Sequence, residues 1–275
     1  MNLKYRNQKN AESAAKYWGK SLDKPDWYKI ENLSEDNTEI MIYDVIGWPF
    51  NDASELVHSL AGMTSKTITV RINSPGGDVF DAVSIFNALQ SHKSKVITRV
   101  EGLAASAASF LALAGKEVHA YPNTMWMIHD PWVCVAGNQY ELRDVADILE
   151  KLAGQMVDIY ASNSNISKKE IKEMMKLETW FTAKEAKEKG LVDTIIDGKA
   201  VKAQFDLSMF AHTPDDLITE AHDEPAIRKY EKALRDAGAS KSEAKAILAR
   251  GLKAVSEIDS EIALSNLLKT IQGGI

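Results

Sequence analysis

The chain has 275 residues, of which 45% are hydrophobic and 26% are charged, a composition typical of a folded globular protein with one large domain or one domain plus appendages. Its net charge of −6 argues against nucleic acid as the main partner, and its single cysteine, Cys134, excludes an internal disulfide framework and a multi-cysteine zinc site. No apolar run approaches the ~18 residues that span a bilayer, so no membrane association is expected.

Residues 1–36 are polar and charged, and the sequence leaves open whether they form an arm, a propeptide or a disordered leader. The basic N-terminus has no apolar segment behind it, so we expect no signal peptide and a cytoplasmic location. Strands and helices then alternate at 38–46 (strand), 53–60 (helix), 67–72 (strand), 79–89 (helix) and 95–100 (strand). This alternation predicts an α/β fold with a parallel sheet and right-handed crossovers.

The second half of the main domain continues the pattern. Its predicted elements are strands at 117–120 and 125–128, an extended arm at 132–140, helices at 141–161, 167–176 and 182–189, and a last strand at 192–196. Ser167 with Glu170, and Thr182 with Glu185, have the spacing of the capping box that begins helices. The helix at 141–161 has more apolar surface than a free helix should expose, so we expect it to pack on another subunit.

The character of the chain changes near Gly198. Helices are predicted in this last part at 226–237, 240–251 and 252–271. Two of these helices are joined by Gly238-Ala239, which superficially resembles a helix-turn-helix motif. The charge of this tail is nearly balanced, however, and this favours assembly or partner binding over DNA contact. The domain prediction is therefore a leader or arm (1–36), a main domain (37–197), and a linker with a helical tail (198–275).

Ser106 lies where the strand 95–100 gives way to a buried helix. Its neighbours are small, which lets a peptide approach the hydroxyl, and the amides of a first helical turn are unpaired and point outward. These features suit a nucleophile. The alternative is that the alanines and serines simply pack tightly against another helix.

A nucleophilic serine needs a base, usually histidine. His129 ends the apolar strand 125–128 and precedes Asp130-Pro131, and the carboxyl edge of a parallel sheet is where active sites gather. A structural histidine is the alternative reading. Gly76-Gly77 offers backbone amides for an oxyanion hole, or is a plain turn. The carboxylates that could orient the imidazole, which these arguments do not rank, are Asp130, Glu173, Glu178 and Asp193.

Several motifs, in order and at their spacing, resemble the Clp protease proteolytic subunit family. They are Ile72-Asn73-Ser74-Pro75-Gly76-Gly77, Gly102-Leu103-Ala104-Ala105-Ser106-Ala107, Met127-Ile128-His129-Asp130-Pro131, and Glu178-Thr179-Trp180-Phe181-Thr182-Ala183 with Glu185-Ala186 to Gly190-Leu191-Val192-Asp193. The resemblance covers roughly 38–197. It implies serine peptidases of crotonase-like (ClpP-type) β-α superhelix fold, assembled as homo-oligomeric rings around a chamber, with no metal or cofactor.

The family's site residues carry over onto this chain by position. Ser106 matches the nucleophile and His129 the general base, while Gly77 and Ala107 match the two amides of the oxyanion hole. Glu178 falls at the place of the family's aspartate and is one methylene longer. We select it as the acid, with Glu173 and Asp130 behind it, whereas Asp193 better fits a structural position in a loop.

The departures from the family point to one branch of it. The segment 132–139 replaces a glycine-rich stretch that interlocks subunits, and the tail beyond 197 has no counterpart. Glu178-Thr179-Trp180 and Leu234-Arg235-Asp236-Ala237-Gly238 look like the Clp-type head maturation (prohead) proteases of tailed phages. That likeness implies cleavage of scaffold and capsid proteins without an ATP-driven unfoldase, in the cytoplasm of the host cell.

Three other functions stay open. The first is a proteolytic subunit fed by an ATPase. The second is a catalytically silent assembly scaffold that keeps the protease fold, against which a complete Ser-His-acid set argues. The third is a crotonase-like acyl-CoA enzyme, which the arrangement of Ser106 and His129 disfavours.

Overall fold

A computed structural model describes residues 27–50, 53–133 and 135–198, together with 205, 207, 210–214 and 217 and the single residues Ala15 and Leu234. The chain divides into two units, Met1–Thr219 and Glu220–Ile275, and every element below belongs to the first. Apart from Leu234, the predicted tail helices lie outside the described residues, as does Cys134.

Eight strands form one sheet. They are β1 (Tyr28–Asn32), β2 (Asn37–Ile42), β3 (Thr67–Ser74), β4 (Lys95–Ala105), β5 (Glu117–Ala120), β6 (Met125–Ile128), β7 (Thr179–Thr182) and β8 (Thr194–Ile195). Strands β2, β3, β4, β5 and β8 are parallel neighbours in that order, and β1 is antiparallel at the edge. The sheet is therefore mainly parallel, as the sequence predicts.

Strand β4 forks the sheet. Its first half pairs with β5 through Ile97 to Val100, whereas its second half pairs in parallel with β6 through Leu103 to Ala105. Strand β6 in turn pairs antiparallel with β7. Because β4 and β6 run side by side in the same direction, the residues that follow them emerge at the same edge of the sheet.

The helices lie between these strands in sequence. They are α1 (Ser54–Gly62), α2 (Val79–Gln90), α3 (Ala107–Leu111, continued by a 3₁₀ turn at Ala112–Ala114), α4 (Gln139–Ser162), α5 (Lys168–Lys176) and α6 (Ala183–Glu188). Side-chain caps fix several starts, since Asp78 accepts from the first-turn amides of α2 and Asn138 with Glu141 forms a capping box on α4. No helix in the described part of the chain is long and apolar enough to cross a membrane.

One face of the sheet forms the main core. Alternate residues on β2, β3 and β4, such as Ile40, Val70 and Val100, are at most 1% exposed and pack with apolar residues of α1 and α2. This period of two follows from the pleat of a strand, which sends successive side chains to opposite faces. Burying each such aliphatic side chain stabilises the fold by about 1.5–3 kcal/mol before entropy is counted.

The other face of the same strands carries a charged network. Glu101 on β4 is 1% exposed and accepts hydrogen bonds from Arg71 Nε and Nη2 at 2.9 and 3.0 Å, from Arg99 Nε at 2.8 Å and from the Tyr43 hydroxyl. Glu39 on β2 joins the same two arginines, at 3.0 and 3.2 Å. Two arginines and two glutamates thus neutralise one another across three neighbouring strands.

The predicted elements are largely confirmed, with local differences. The first predicted strand ends at Ile42 rather than 46, and β4 continues through Gly102 to Ala105 because β6 supplies a new partner beyond β5. Strands β1 and β7 were not predicted, and β1 lies within the segment that the sequence assigned to a leader. The predicted capping box of Thr182 and Glu185 has both of its hydrogen bonds. At Ser167 the side chain accepts the Glu170 amide, but the reciprocal bond to the Glu170 side chain is not formed between these two described residues.

Candidate active site

Ser106 occupies a sharp turn between β4 and α3. Its backbone has φ 54° and ψ −126°, a left-handed conformation that costs energy for a residue with a Cβ. Hydrogen bonds hold it there, because the Ser106 amide donates to the Met127 carbonyl at 2.9 Å and its own carbonyl accepts from the Ser109 amide at 3.0 Å and hydroxyl at 2.6 Å. The turn places the Ser106 side chain at the edge of the sheet, just before the first residue of α3.

The turn after β3 packs directly against Ser106 and requires its glycines. At Gly76, where φ is +101°, a Cβ would lie 2.6 Å from the Ser106 Cβ and 3.0 Å from the Ala107 amide nitrogen. At Gly77 a Cβ would lie 2.2 Å from the Ile46 carbonyl oxygen. Close backbone approach therefore demands both glycines. The backbone of this turn lies beside the start of α3, where Gly77 and Ala107 are the predicted oxyanion donors.

His129 follows β6 and meets Ser106 across the fork. Its Nε2 lies 2.7 Å from the Ser106 Oγ. The register explains this contact, because Ala105 of β4 pairs with Met127 of β6, and Ser106 and His129 come just after those residues. Burial lowers the pKa of His129 to about 4, although the nearby Glu178 carboxylate acts to raise it. The imidazole is therefore neutral at pH 7 and free to accept the hydroxyl proton.

Glu178 lies near this pair but is bonded elsewhere. It is in the turn between α5 and β7 with φ +50°. One carboxylate oxygen accepts from the Trp180 indole at 3.3 Å and the His212 amide at 2.7 Å, and the other accepts from the Ala211 amide at 2.8 Å. Among the described residues no hydrogen bond joins Glu178 to His129, so the predicted acid acts on the imidazole only through its charge.

The other carboxylate candidates lie in different settings. Asp193 accepts the Val118 amide at 2.7 Å and ties the loop before β8 to β5, a structural contact. Asp130 is exposed, and burial raises its pKa while the charge of Lys176 opposes that shift. Glu173 is exposed on α5. Among the carboxylates of the described residues, Glu178 is the one whose charge raises the pKa of His129.

Aromatic residues that are not among the predicted site residues pack beside His129. The Phe210 ring meets the His129 ring edge-on, with centroids 5.6 Å apart and planes at 90°, and also contacts Trp180 at 5.9 Å. Phe210 and Leu207 are buried in a small apolar cluster with Leu103 and its neighbours. Trp180 could have been found from the sequence, because it lies in one of the motifs that resemble the family. Nothing in the sequence around Phe210 connects it to His129.

Comparison with known proteins identifies the relatives of this arrangement. A family model described as Clp protease matches residues 23–199. Proteins named ATP-dependent Clp protease proteolytic subunit from two strains of Bacteroides fragilis are each 35% identical over 133 residues, and one from Bacteroides thetaiotaomicron is 34% identical over the same length. Each match covers 48% of this chain and 64%, 60% and 60% of the respective relative, so it spans less than two thirds of each.

Proposed function

The chain belongs to the Clp protease family, and from this premise we propose that it is a serine endopeptidase in which Ser106 and His129 carry the chemistry. The observation that carries the proposal is the 2.7 Å contact between the Ser106 Oγ and the His129 Nε2 at the shared end of β4 and β6. A half-buried, neutral imidazole within hydrogen-bond distance of a serine hydroxyl is the arrangement that activates a serine nucleophile.

The proposed reaction has two balanced halves. The Ser106 oxygen attacks the peptide carbonyl while His129 Nε2 takes the hydroxyl proton, and the amides of Gly77 and Ala107 bind the oxyanion. His129 then gives that proton to the leaving amine, which departs and leaves an acyl-enzyme. Water attacks the ester, again losing a proton to His129, and the proton returns to Ser106 as the acid product leaves. The nearby Glu178 carboxylate stabilises the positive charge that forms on the imidazole.

The proposed biological role is head maturation of a tailed phage, by ATP-independent cleavage of scaffold and capsid proteins in the cytoplasm of the host. It is supported by the Glu178-Thr179-Trp180 motif and by the chain that follows the protease domain. A homo-oligomeric ring is proposed as well, supported by the exposed apolar residues of α4 described below. Proteins of this kind need neither metal nor cofactor for the reaction above.

A second candidate is a proteolytic subunit fed by an ATPase, which the names of the Bacteroides relatives favour. The two candidates differ in their need for ATP. Cleavage of a purified scaffold-like protein by the chain alone supports the first, whereas cleavage that appears only with an unfoldase and ATP supports the second. A silent scaffold would cleave nothing in either condition.

The enzymatic proposal is tested by intact mass after treatment with a fluorophosphonate. We expect one adduct on the wild type and none on Ser106→Ala, because only an activated serine in a formed oxyanion hole reacts rapidly with this reagent. Ser84→Ala is the matched control, since Ser84 is an exposed serine whose hydroxyl donates only to the Phe80 carbonyl of its own helix, and it should label like the wild type. An adduct that persists on Ser106→Ala overturns the assignment.

A further inference from the structure

A segment that follows the protease domain in sequence lies on the catalytic pair. We call residues 207 and 210–213 the strap. The strap is closed on itself, because the Leu207 carbonyl accepts the Phe210 amide at 3.1 Å and the Thr213 hydroxyl at 2.8 Å. Its two large apolar side chains are 4% and 7% exposed, so the strap is seated on the domain rather than extended into solvent.

The strap contacts the proposed active site in two ways. Phe210 covers one edge of the His129 ring and packs against Trp180, while Leu207 packs in the cluster that contains Leu103, Ala105 and Met127, which lie on the two strands that lead to Ser106 and His129. The apolar contacts thus fall beside the reacting groups. A peptide bound at Ser106 would lie close to these contacts, because the His129 Nε2 that the ring edge of Phe210 adjoins is 2.7 Å from the Ser106 Oγ.

The strap also binds the Glu178 carboxylate through its main chain. The main-chain amides of Ala211 and His212 reach one carboxylate oxygen each, at 2.8 and 2.7 Å. A carboxylate that accepts two amide hydrogen bonds and an indole hydrogen bond is held in place. Held in this way, the carboxylate makes no hydrogen bond to the imidazole among the described residues.

We infer that the strap is an autoinhibitory element, which covers His129 with Phe210 and holds Glu178 away from the imidazole through the amides of Ala211 and His212. The inference rests on the proposed function and adds a regulation of that same site. When the strap is displaced or removed, the Glu178 carboxylate is released to accept a hydrogen bond from the His129 Nδ1–H and the approach to Ser106 opens. The chain is thus made in a restrained form and gains activity when this segment leaves.

The test measures docking and inhibition separately in the full chain. Docking is read by hydrogen–deuterium exchange of the strap in the Ser106→Ala background, which is independent of activity. We expect the amides of Ala211 and His212 to be protected, and to lose protection when Glu178→Ala removes their acceptor or Phe210→Ala removes the apolar anchor. Absence of protection in the parent, or protection unchanged in both variants, overturns the docking.

Inhibition is read by the rate of fluorophosphonate labelling at Ser106. We expect Phe210→Ala to raise this rate at least tenfold, and His212→Pro, which removes one amide donor, to raise it too. His212→Ala is the matched control, because it keeps the amide and removes only an exposed side chain, so its rate should equal that of the wild type. Near- and far-ultraviolet circular dichroism establishes that each variant is folded.

The outcomes separate this inference from the proposed function. Equal labelling of the wild type, Phe210→Ala and His212→Pro at Ser106 overturns the inhibition and leaves the peptidase standing. Labelling of no variant overturns the peptidase and the inhibition together, and the exchange data then decide the docking alone. A faster rate in Phe210→Ala and His212→Pro but not in His212→Ala supports the whole inference.

Discussion

The protonation state of His129 is set by the residues that surround it. Burial disfavours the charged imidazolium and is the larger influence, whereas the Glu178 carboxylate favours it, and the balance leaves the pKa of His129 near 4. A general base acts only in its neutral form. Burial of the ring, to which the edge contact with Phe210 contributes, therefore keeps the imidazole neutral over a wide pH range.

We expect the rate of fluorophosphonate labelling to stay level from about pH 8 to about pH 5 and to fall with a midpoint near the pKa of His129, about 4. Glu178→Gln removes the charge that raises this pKa, so its midpoint should move to lower pH. A wild-type midpoint near 6.5, the ordinary value for histidine, would contradict the burial argument.

Stability must be followed in the same experiment. In the unfolded chain the histidine regains a pKa of 6.5, so the unfolded state binds a proton before the native state does as the pH falls. Native stability therefore decreases between pH 6.5 and 4 on account of this group, and circular dichroism at each pH separates loss of the base from loss of the fold. A labelling midpoint that coincides with unfolding does not report the base.

Individual residues of the site differ in how far the sequence could reveal them. Ser106 and His129 lie at strand ends among small or apolar neighbours, which is a local pattern, and the structure brings their side chains into contact. Glu178 was placed near His129 only through the family motif, and its hydrogen bonds to amides 33 and 34 residues away have no local signature. Contacts of this length depend on tertiary packing, which composition and periodicity do not encode.

At the scale of the elements, three neighbouring strands are joined by the charged network around Glu101. Burial raises the pKa of Glu101, but hydrogen bonds from Arg71, Tyr43 and Arg99 outweigh that influence and hold it below its usual value. The carboxylate is therefore ionised at neutral pH. The stabilisation linked to this shift is present above the ordinary glutamate pKa and is lost as the pH falls below it.

We expect Glu101→Gln to lower the free energy of unfolding by about 3 kcal/mol, because removing one partner of a buried ion pair leaves the guanidinium groups uncompensated. Urea unfolding at neutral pH measures the loss. Lys66→Gln is the control: its ion pair with Asp36 is largely exposed, with side chains 78% and 54% accessible, and its loss should cost about 0.5 kcal/mol or less. Equal costs for the two variants would mean that the network adds nothing beyond surface charge.

The strands that the sequence did not predict are short ones that form by pairing with the edge of a neighbouring strand. Strand β7 has four residues and forms because β6 offers an edge, and β1 forms because β2 does. Strand β4 has its own signal, but its continuation to Ala105 comes from β6. The long strands and helices with a clear period were predicted near their observed bounds because each buries a regular apolar face.

For assembly, the relevant feature is helix α4, which has exposed apolar residues in the described part of the chain. Its C-terminal half is packed, with Met156, Val157 and Tyr160 buried and the Tyr160 hydroxyl 2.6 Å from the Ser109 Oγ. In its N-terminal half Leu142 is 43% exposed and Tyr140 is 68% exposed. Exposed apolar residues of this kind are where we expect contact with another chain, and the proposed ring makes a second copy the expected partner.

We expect Leu142→Glu to weaken assembly strongly while leaving the subunit folded, because the new carboxylate is accommodated by solvent in the free chain but is buried without a partner in an interface. Sedimentation velocity should show a shift from a large species toward the 30.4 kDa subunit. Glu150→Gln, an exposed polar change on the same helix, is the control and should sediment like the wild type. If the wild type itself sediments at the subunit mass and is labelled fully at Ser106, then the exposed apolar residues of α4 do not serve assembly, and the site works without a second subunit.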